Sequence, residues 1–193
     1  MRVKEMSSRI PKLSCLAAFV AILAIASACN GANSDGVPVR NTGHYAIIET
    51  DRGTVAIELY PKVAPKTVAN FETLVKKGFY NGLIFHRVVP DFVVQGGDPD
   101  GTGMGGPGYT VPAEIDSSEH HLRSTVATAR LGDDVNPTRQ SSGSQFYICL
   151  KPQPSLDAQY TIFGGVIKGM DVVDRIQKGD HMKKLTLASE PPK

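Results

Sequence analysis

The chain has no tryptophan, only 3 cysteines and no cluster of Lys and Arg. Without a basic block it has nothing to set against the phosphates of a nucleic acid, so no nucleic-acid partner is expected. The formal net charge of +2 is misleading in this respect: residues 1–28 hold 4 of the 21 basic and 1 of the 19 acidic residues, leaving 17 against 18 in the rest. The cysteines are too few and too scattered for a disulfide scaffold. Cys15 lies in an apolar stretch near the start, Cys29 ends that stretch, and Cys149 sits inside a strand-like apolar run, where it reads as a buried, inert thiol. A membrane-spanning helix is not expected either, because the apolar and small residues from Leu13 to Ala28 stop at 16, short of the roughly 20 such a helix needs.

What residues 1–28 do carry is the pattern of an export signal. Arg2, Lys4, Arg9 and Lys12 precede the apolar stretch, which ends Ala26-Ser27-Ala28-Cys29. That ending fits cleavage after small residues and resembles a bacterial lipoprotein box with Cys29 as the lipidated residue. The expectation is a protein of the bacterial cell envelope, on the periplasmic side, tethered through Cys29 and otherwise soluble. The alternative is a soluble periplasmic or secreted form. With Cys29 acylated, Cys149 has no disulfide partner even in an oxidising compartment.

Residues 29–43 are polar and rich in Asn, Gly and Ser, and read as a flexible linker. One domain follows over 44–188, with a tail at 189–193. Two strand-like runs between Tyr45 and Leu59 are broken by Asp51-Arg52-Gly53, which predicts a hairpin. Pro65 opens a helical pattern in which Val68, Phe71, Leu74 and Val75 share a face until Gly78. A second helix is predicted from Met170 to Lys178, followed by Gly179. Short β-type runs lie near 84–89, 92–96, 125–130, 144–150, 161–167 and 183–188, so the class is mainly β, a barrel or sandwich. The glycine-punctuated segment from Asp98 to Ser124 predicts a surface loop.

The most informative run is Phe85 to Asp98, FHRVVPDFVVQGGD, which places one permanent cation, Arg87, and one long amide, Gln95, among apolar residues. With Ser142-Gly143-Ser144-Gln145-Phe146-Tyr147-Ile148, and with Leu156-Asp157 followed by Tyr160-Thr161-Ile162-Phe163-Gly164, it resembles the cyclophilins, the peptidyl-prolyl cis-trans isomerases, in block order and spacing. The resemblance covers about Tyr45 to Leu187. It implies a closed eight-stranded antiparallel β-barrel capped by two α-helices, acting on proline-containing, unfolded or flexible polypeptides without cofactor or metal; a monomer is expected, because nothing in the sequence reads as an association face. It implies that Arg87 is the catalytic donor and that Gln95 contacts the substrate backbone beside it. Phe92, Val93, Tyr147 and Leu156 match family pocket positions, and Ala127 and Thr128 match a segment whose backbone pairs with the bound peptide. Tyr147 replaces the usual Phe, adding a hydroxyl, and Thr128 the usual Asn; two departures matter more, Ser155 where eukaryotic members have tryptophan and Tyr160 where the family has histidine, so that Tyr160 becomes a candidate rim of the pocket. These departures bear on cyclosporin binding more than on isomerisation.

The chemistry suits such residues. An X-Pro bond rotates slowly because its amide has partial double-bond character, and at the twisted geometry the prolyl nitrogen becomes pyramidal and can accept a hydrogen bond. A guanidinium supplies rigid donors and stays charged, so no proton transfer is needed. A proline-peptide binding module with little turnover would use the same groove. Other readings fit less well. Gly143-Ser144-Gln145 lacks the second glycine of a nucleophile elbow, the loop after Asp98 lacks a Gly-Lys-Ser/Thr ending, and Asp98-Pro99-Asp100-Gly101 lacks the later glutamate of a calcium loop. His120 and His121 lack the spacing of a metal pair and are expected to face solvent, and His86 is expected to be a packed neighbour of Arg87 rather than a catalyst.

Overall fold

The structure, a computed structural model, describes Met1 and residues 36–192. The chain divides into two units, Met1–Asn30 and Gly31–Lys193. The signal expected over 1–28, Cys29 and the first part of the 29–43 linker lie outside the described residues. Among the described residues no helix is long and apolar enough to cross a membrane.

The predicted hairpin is formed by β1 (Tyr45–Thr50) and β2 (Gly53–Leu59), paired from Tyr45↔Glu58 to Thr50↔Gly53. Gly53 takes a φ of 136°, which a β-carbon would strain, and Thr50 Oγ1 donates to its carbonyl at 2.8 Å. Helix α1 (Pro65–Lys76) buries Thr67, Val68, Phe71, Leu74 and Val75 as the spacing predicts. Its N-cap, Ala64, has no side chain able to cap. Glu114 replaces it, accepting from the backbone N–H groups of Lys66 (2.9 Å) and Thr67 (2.8 Å) and from Thr67 Oγ1 (2.8 Å).

Six further strands complete the main sheet: β3 (Arg87–Val89), β4 (Val93–Gly96), β6 (Thr125–Thr128), β8 (Phe146–Cys149), β9 (Ile162–Lys168) and β10 (Met182–Ala188). Its order is β10-β1-β2-β9-β6-β8-β4-β3, with every pair antiparallel. A separate two-stranded sheet, β5 (Thr110–Val111) with β7 (Ser141–Ser142), pins the loop expected between Asp98 and Ser124. The main sheet is a strongly curled, open half-barrel rather than a closed one. Its edges, β3 and β10, share no ladder. An isolated bridge, Ile84↔His181, links the segments leading into them, with Phe85 N–H donating to Asp180 O at 2.9 Å and Met182 N–H to Leu83 O at 2.8 Å.

Helix α2 spans Met170–Val173, shorter than the 170–178 predicted. After Val173 the turn tightens, with Arg175 N–H bonding Val172 O (3.0 Å) and Ile176 N–H bonding Val173 O (3.1 Å), both i to i−3. Ile176 stays buried, so the apolar periodicity survives while the helical bonding does not.

The strands β6 and β8 are buried along their whole length because both sheet faces are covered. On one face Val94, Ile148 and Val126 meet α1 residues such as Phe71 in the main core; on the other, Val93, Cys149, Tyr147 and Ala127 join Tyr60 and Ile162 in a second apolar cluster. Cys149 is fully buried there, and burial pushes its thiol up to about 12.

Residues 36–43 depart from the flexible linker expected over 29–43. Val37 is buried and its N–H donates to Ser124 Oγ at 3.0 Å. The buried Glu58 carboxylate accepts from the N–H groups of Arg40 and Thr42, both at 2.7 Å. A strap therefore lies against the sheet before β1 begins.

Candidate functional site

The site is built on one row of the ladder. Arg87 on β3 pairs with Gln95 on β4, Gln95 with Tyr147 on β8, and Tyr147 with Ala127 on β6. Directly paired residues share a face, so these four side chains rise on the side of the sheet away from the main core. The β3–β4 connection is a tight turn in which Pro90 precedes Asp91 at φ 59°, and Phe92 N–H bonds Val89 O at 3.1 Å. Pro at the second place of the turn and a small polar residue with positive φ at the third are what a type II turn requires. The turn brings Phe92 back beside Arg87, whose guanidinium carbon lies 5.4 Å from the ring centroid.

Arg87 is exposed, and its Nη1 donates to Gln95 Oε1 at 3.3 Å. Gln95 Nε2 donates in turn to Gln145 Oε1 at 3.0 Å, and Gln145 Nε2 donates to the carbonyls of Gly103 (3.0 Å) and Gly105 (2.8 Å). A chain of amides thus runs from the glycine-rich loop to the guanidinium. Asp98 holds that loop from within. It is buried and accepts from Asp100 N–H at 2.8 Å and from the N–H groups of Gly103 and Gly105. Burial alone would raise its pKa, but these donors together hold the carboxyl below the usual range.

Beside Arg87 lies the second apolar cluster. Val93, Ala127 and Tyr147 are buried in it, with Phe92, Leu156 and Tyr160 partly exposed around them. Tyr160 stands edge-on to Tyr147, with centroids 5.9 Å apart and planes at 83°. Leu156 comes from a single 3-10 turn, Pro154–Leu156, on which Ser155 is exposed. A groove of about 730 Å³ is lined by Gln95 and Gln145 and has Met104, Leu131 and Val135 exposed on its rim.

Ala127 and Thr128, whose backbone the resemblance implies pairs with a bound peptide, sit within the main sheet. They lie on β6, an interior strand between β8 and β9, and Thr128 N–H is used by Thr161 O at 3.0 Å. The Thr128 hydroxyl is buried against Ser141 Oγ at 2.8 Å. Ala129 and Arg130, just beyond the strand, are the residues that reach the groove wall.

Three residues near this cluster carry no role in the sequence reading. Gln145, although inside a recognisable block, proves to be the hinge of the amide chain. Arg130, with its side chain 5 % exposed, stacks on Tyr160 at 4.6 Å and donates to Gln159 O at 2.9 Å. His121 overturns the expectation of solvent exposure: its side chain is 0 % exposed. Its Nδ1 lies 2.9 Å from Asp157 Oδ1, and its Nε2 lies 3.0 Å from the Tyr147 hydroxyl. His120 is exposed and also reaches Asp157, at Oδ2. No local signal marks His121, because its partners lie 26 and 36 residues away. His86 is buried as expected. Neither of its ring nitrogens has a hydrogen-bond partner among the described residues, and burial lowers its pKa.

Among the described residues no group of three or more His, Cys, Asp or Glu side chains could hold a metal ion. Arg87, held by Gln95 and through it by Gln145, thus stands beside an apolar, partly aromatic cluster. Residues 45–192 match the family model described as cyclophilin type peptidyl-prolyl cis-trans isomerase/CLD. The chain is 43 % identical over 148 residues to a peptidyl-prolyl cis-trans isomerase of Helicobacter pylori, covering 75 % of this chain and 87 % of that one. It is 45 % identical over 145 residues to peptidyl-prolyl cis-trans isomerase B of Bacillus subtilis, covering 75 % and 96 %. A crystal structure of a cyclophilin type isomerase from Cryptosporidium parvum superposes with a TM-score of 0.70 at 29 % identity, covering 77 % of this chain and 99 % of that one. The chain belongs to the cyclophilin-type peptidyl-prolyl cis-trans isomerases.

Proposed function

We infer that this protein accelerates rotation about X-Pro bonds in exported polypeptides, with Arg87 as the donor and the apolar cluster beside it as the proline pocket. The observation that carries this reading is the amide chain from Gly103 and Gly105 through Gln145 and Gln95 to Arg87, ending over apolar walls. The proline ring enters between Phe92, Val93, Tyr147, Leu156 and Tyr160, while the preceding carbonyl stays free to swing. As the amide twists, its nitrogen lone pair leaves conjugation, and an Arg87 N–H meets it there and not in the planar ground state. Gln95 holds the guanidinium and keeps one amide hydrogen for the peptide backbone. A rate gain of about four decades corresponds to about 5–6 kcal/mol, within the range of one positioned charged donor with desolvation.

Attachment to the envelope through Cys29 is supported by residues 1–29 of the sequence, and mass spectrometry of the N-terminal peptide tests it. The decisive experiment is the cis-to-trans conversion of an Ala-Pro test peptide, comparing wild type with Arg87→Ala. Fast conversion lost in the variant is the expected result. Peptide binding without any acceleration by the wild type would make the pocket a binding site and sink the enzymatic reading.

A further inference from the structure

Beneath the proline pocket lies a polar chain that the proposed chemistry does not use: the buried His121 and Tyr147 hydroxyl, joined to the partly exposed Asp157. Asp157 Oδ1 accepts the backbone N–H of His121 at 2.8 Å and faces its Nδ1 at 2.9 Å, while Oδ2 takes His120 Nδ1 at 2.9 Å. Burial would raise the Asp157 pKa, but the His121 N–H and the two rings outweigh it, so the carboxyl is held below its ordinary value and stays an acceptor. An acceptor at Nδ1 requires the proton there. Nε2 is then a bare lone pair, and the Tyr147 hydroxyl, 3.0 Å away, must donate to it. The two rings are nearly parallel, with centroids 6.1 Å apart and planes at 17°, and Tyr160 stands edge-on to both.

We propose that His121 is a positioning residue of the proline pocket. Held by Asp157, it takes the Tyr147 proton in a hydrogen bond and so fixes the angle of the ring that floors the pocket, while Asp157 ties the adjoining Leu156–Tyr160 wall to the same imidazole. Because this role presumes turnover at the pocket, it rests on the isomerase reading. A pocket floor grips the proline ring alike in ground and transition states, so its loss shows in KM, whereas loss of Arg87 shows in kcat.

Two measurements on the full chain test this. The first is ¹⁵N NMR of the His121 imidazole at neutral pH, expected to show a protonated Nδ1 and a bare, hydrogen-bonded Nε2; a proton on Nε2 overturns the proposal. The second is a cycle of His121→Phe, Tyr147→Phe and the double variant, read as kcat and KM for an Ala-Pro peptide, with thermal melting to confirm folding. Each single change is expected to raise KM about three- to tenfold with kcat nearly unchanged, the size of one lost hydrogen bond. The double variant is expected to cost no more than either alone. Fully additive losses, or losses in kcat alone, would mark His121 as ordinary packing and overturn its role while leaving the isomerase reading intact. If His121→Phe does not fold, Tyr147→Phe carries the test by itself, since it deletes one oxygen, and an unchanged KM refutes the proposal. A wild type that fails to accelerate the peptide at all removes the isomerase reading, and this role with it.

Discussion

Gln145→Leu separates the amide chain from the pocket it serves. The substitution keeps the volume of a side chain that is 5 % exposed and deletes three hydrogen bonds, one from Gln95 at 3.0 Å and two to the carbonyls of Gly103 and Gly105 at 3.0 and 2.8 Å. Each such bond contributes about 0.5–1.5 kcal/mol net. Both carbonyls border the open groove and can recover water, so the lower half of that range applies and the total is about 2 kcal/mol. In a domain of this size that lowers Tm by roughly 4–8 °C. The catalytic effect follows from geometry: freed from Gln145, Gln95 no longer presents Oε1 to Arg87 in one orientation, and the guanidinium samples positions from which it misses the prolyl nitrogen. A misplaced donor costs transition-state stabilisation rather than substrate affinity, so kcat is expected to fall about tenfold, or about 1.4 kcal/mol, with KM nearly constant. Chymotrypsin-coupled kinetics on an Ala-Pro peptide and a thermal melt give the two numbers. A variant with the lowered Tm but wild-type kcat would show that the amide chain is scaffolding and that Arg87 is positioned by something else.

Two further outcomes follow from groups away from Arg87. Glu114→Ala removes the acceptor that caps α1 in place of Ala64, leaving two helix N–H groups and the Thr67 hydroxyl to water; stability is expected to fall by about 1–2 kcal/mol in urea unfolding, and an unchanged midpoint would mean the cap is idle. His121 and His86 both have folded-state pKa values depressed below 6.5, chiefly by burial. Below 6.5 the unfolded chain therefore binds more protons than the folded one, so the stability these groups provide is fully present above that pH and is lost as pH falls through the folded values. Unfolding midpoints are expected to drop on acidification from about 6.5, with a shallower slope in His121→Phe; an identical slope in that variant would show that His121 does not titrate in folding.

Much of the site could be read from the chain because its parts are local. The turn Val89-Pro90-Asp91-Phe92 and the alternation of β3 and β4 put Arg87, Phe92 and Gln95 near one another whatever the rest of the fold does. The faces of β6 and β8 were harder. Their residues show no regular alternation of apolar and polar, so nothing in the sequence tells which of Val126 or Ala127 meets the main core and which the second cluster. What stayed hidden depends on contacts across the sheet. Glu114 caps a helix some 47 residues upstream, and His121 meets Asp157 and Tyr147 only once β6, β8 and the 154–160 segment come together. The α2 pattern misled for a different reason: apolar periodicity reports burial of Ile176, and a tightened i to i−3 turn buries it as well as a helix would.

The sheet has to be covered on both faces for this site to exist. A strand with one wet face would leave Tyr147 and Gln145 in water, where neither a hydroxyl nor an amide would need a fixed partner. Here the cluster is apolar, and the polar atoms beside Arg87 are satisfied from within: the Tyr147 hydroxyl by His121, Gln95 by Gln145, and Gln145 by the loop that Asp98 folds. The penalty for an unpaired buried polar group, about 1–3 kcal/mol, enforces the geometry that the chemistry then uses. Register supports the same end. Because neighbouring residues on a strand point to opposite faces, a one-residue slip between β4 and β8 would move Tyr147 into the main core and Ile148 into the pocket. The paired row from Arg87 through Gln95 and Tyr147 to Ala127 is therefore fixed by the same packing that holds the fold, and Arg87 reaches its place beside the second cluster without a dedicated structure of its own.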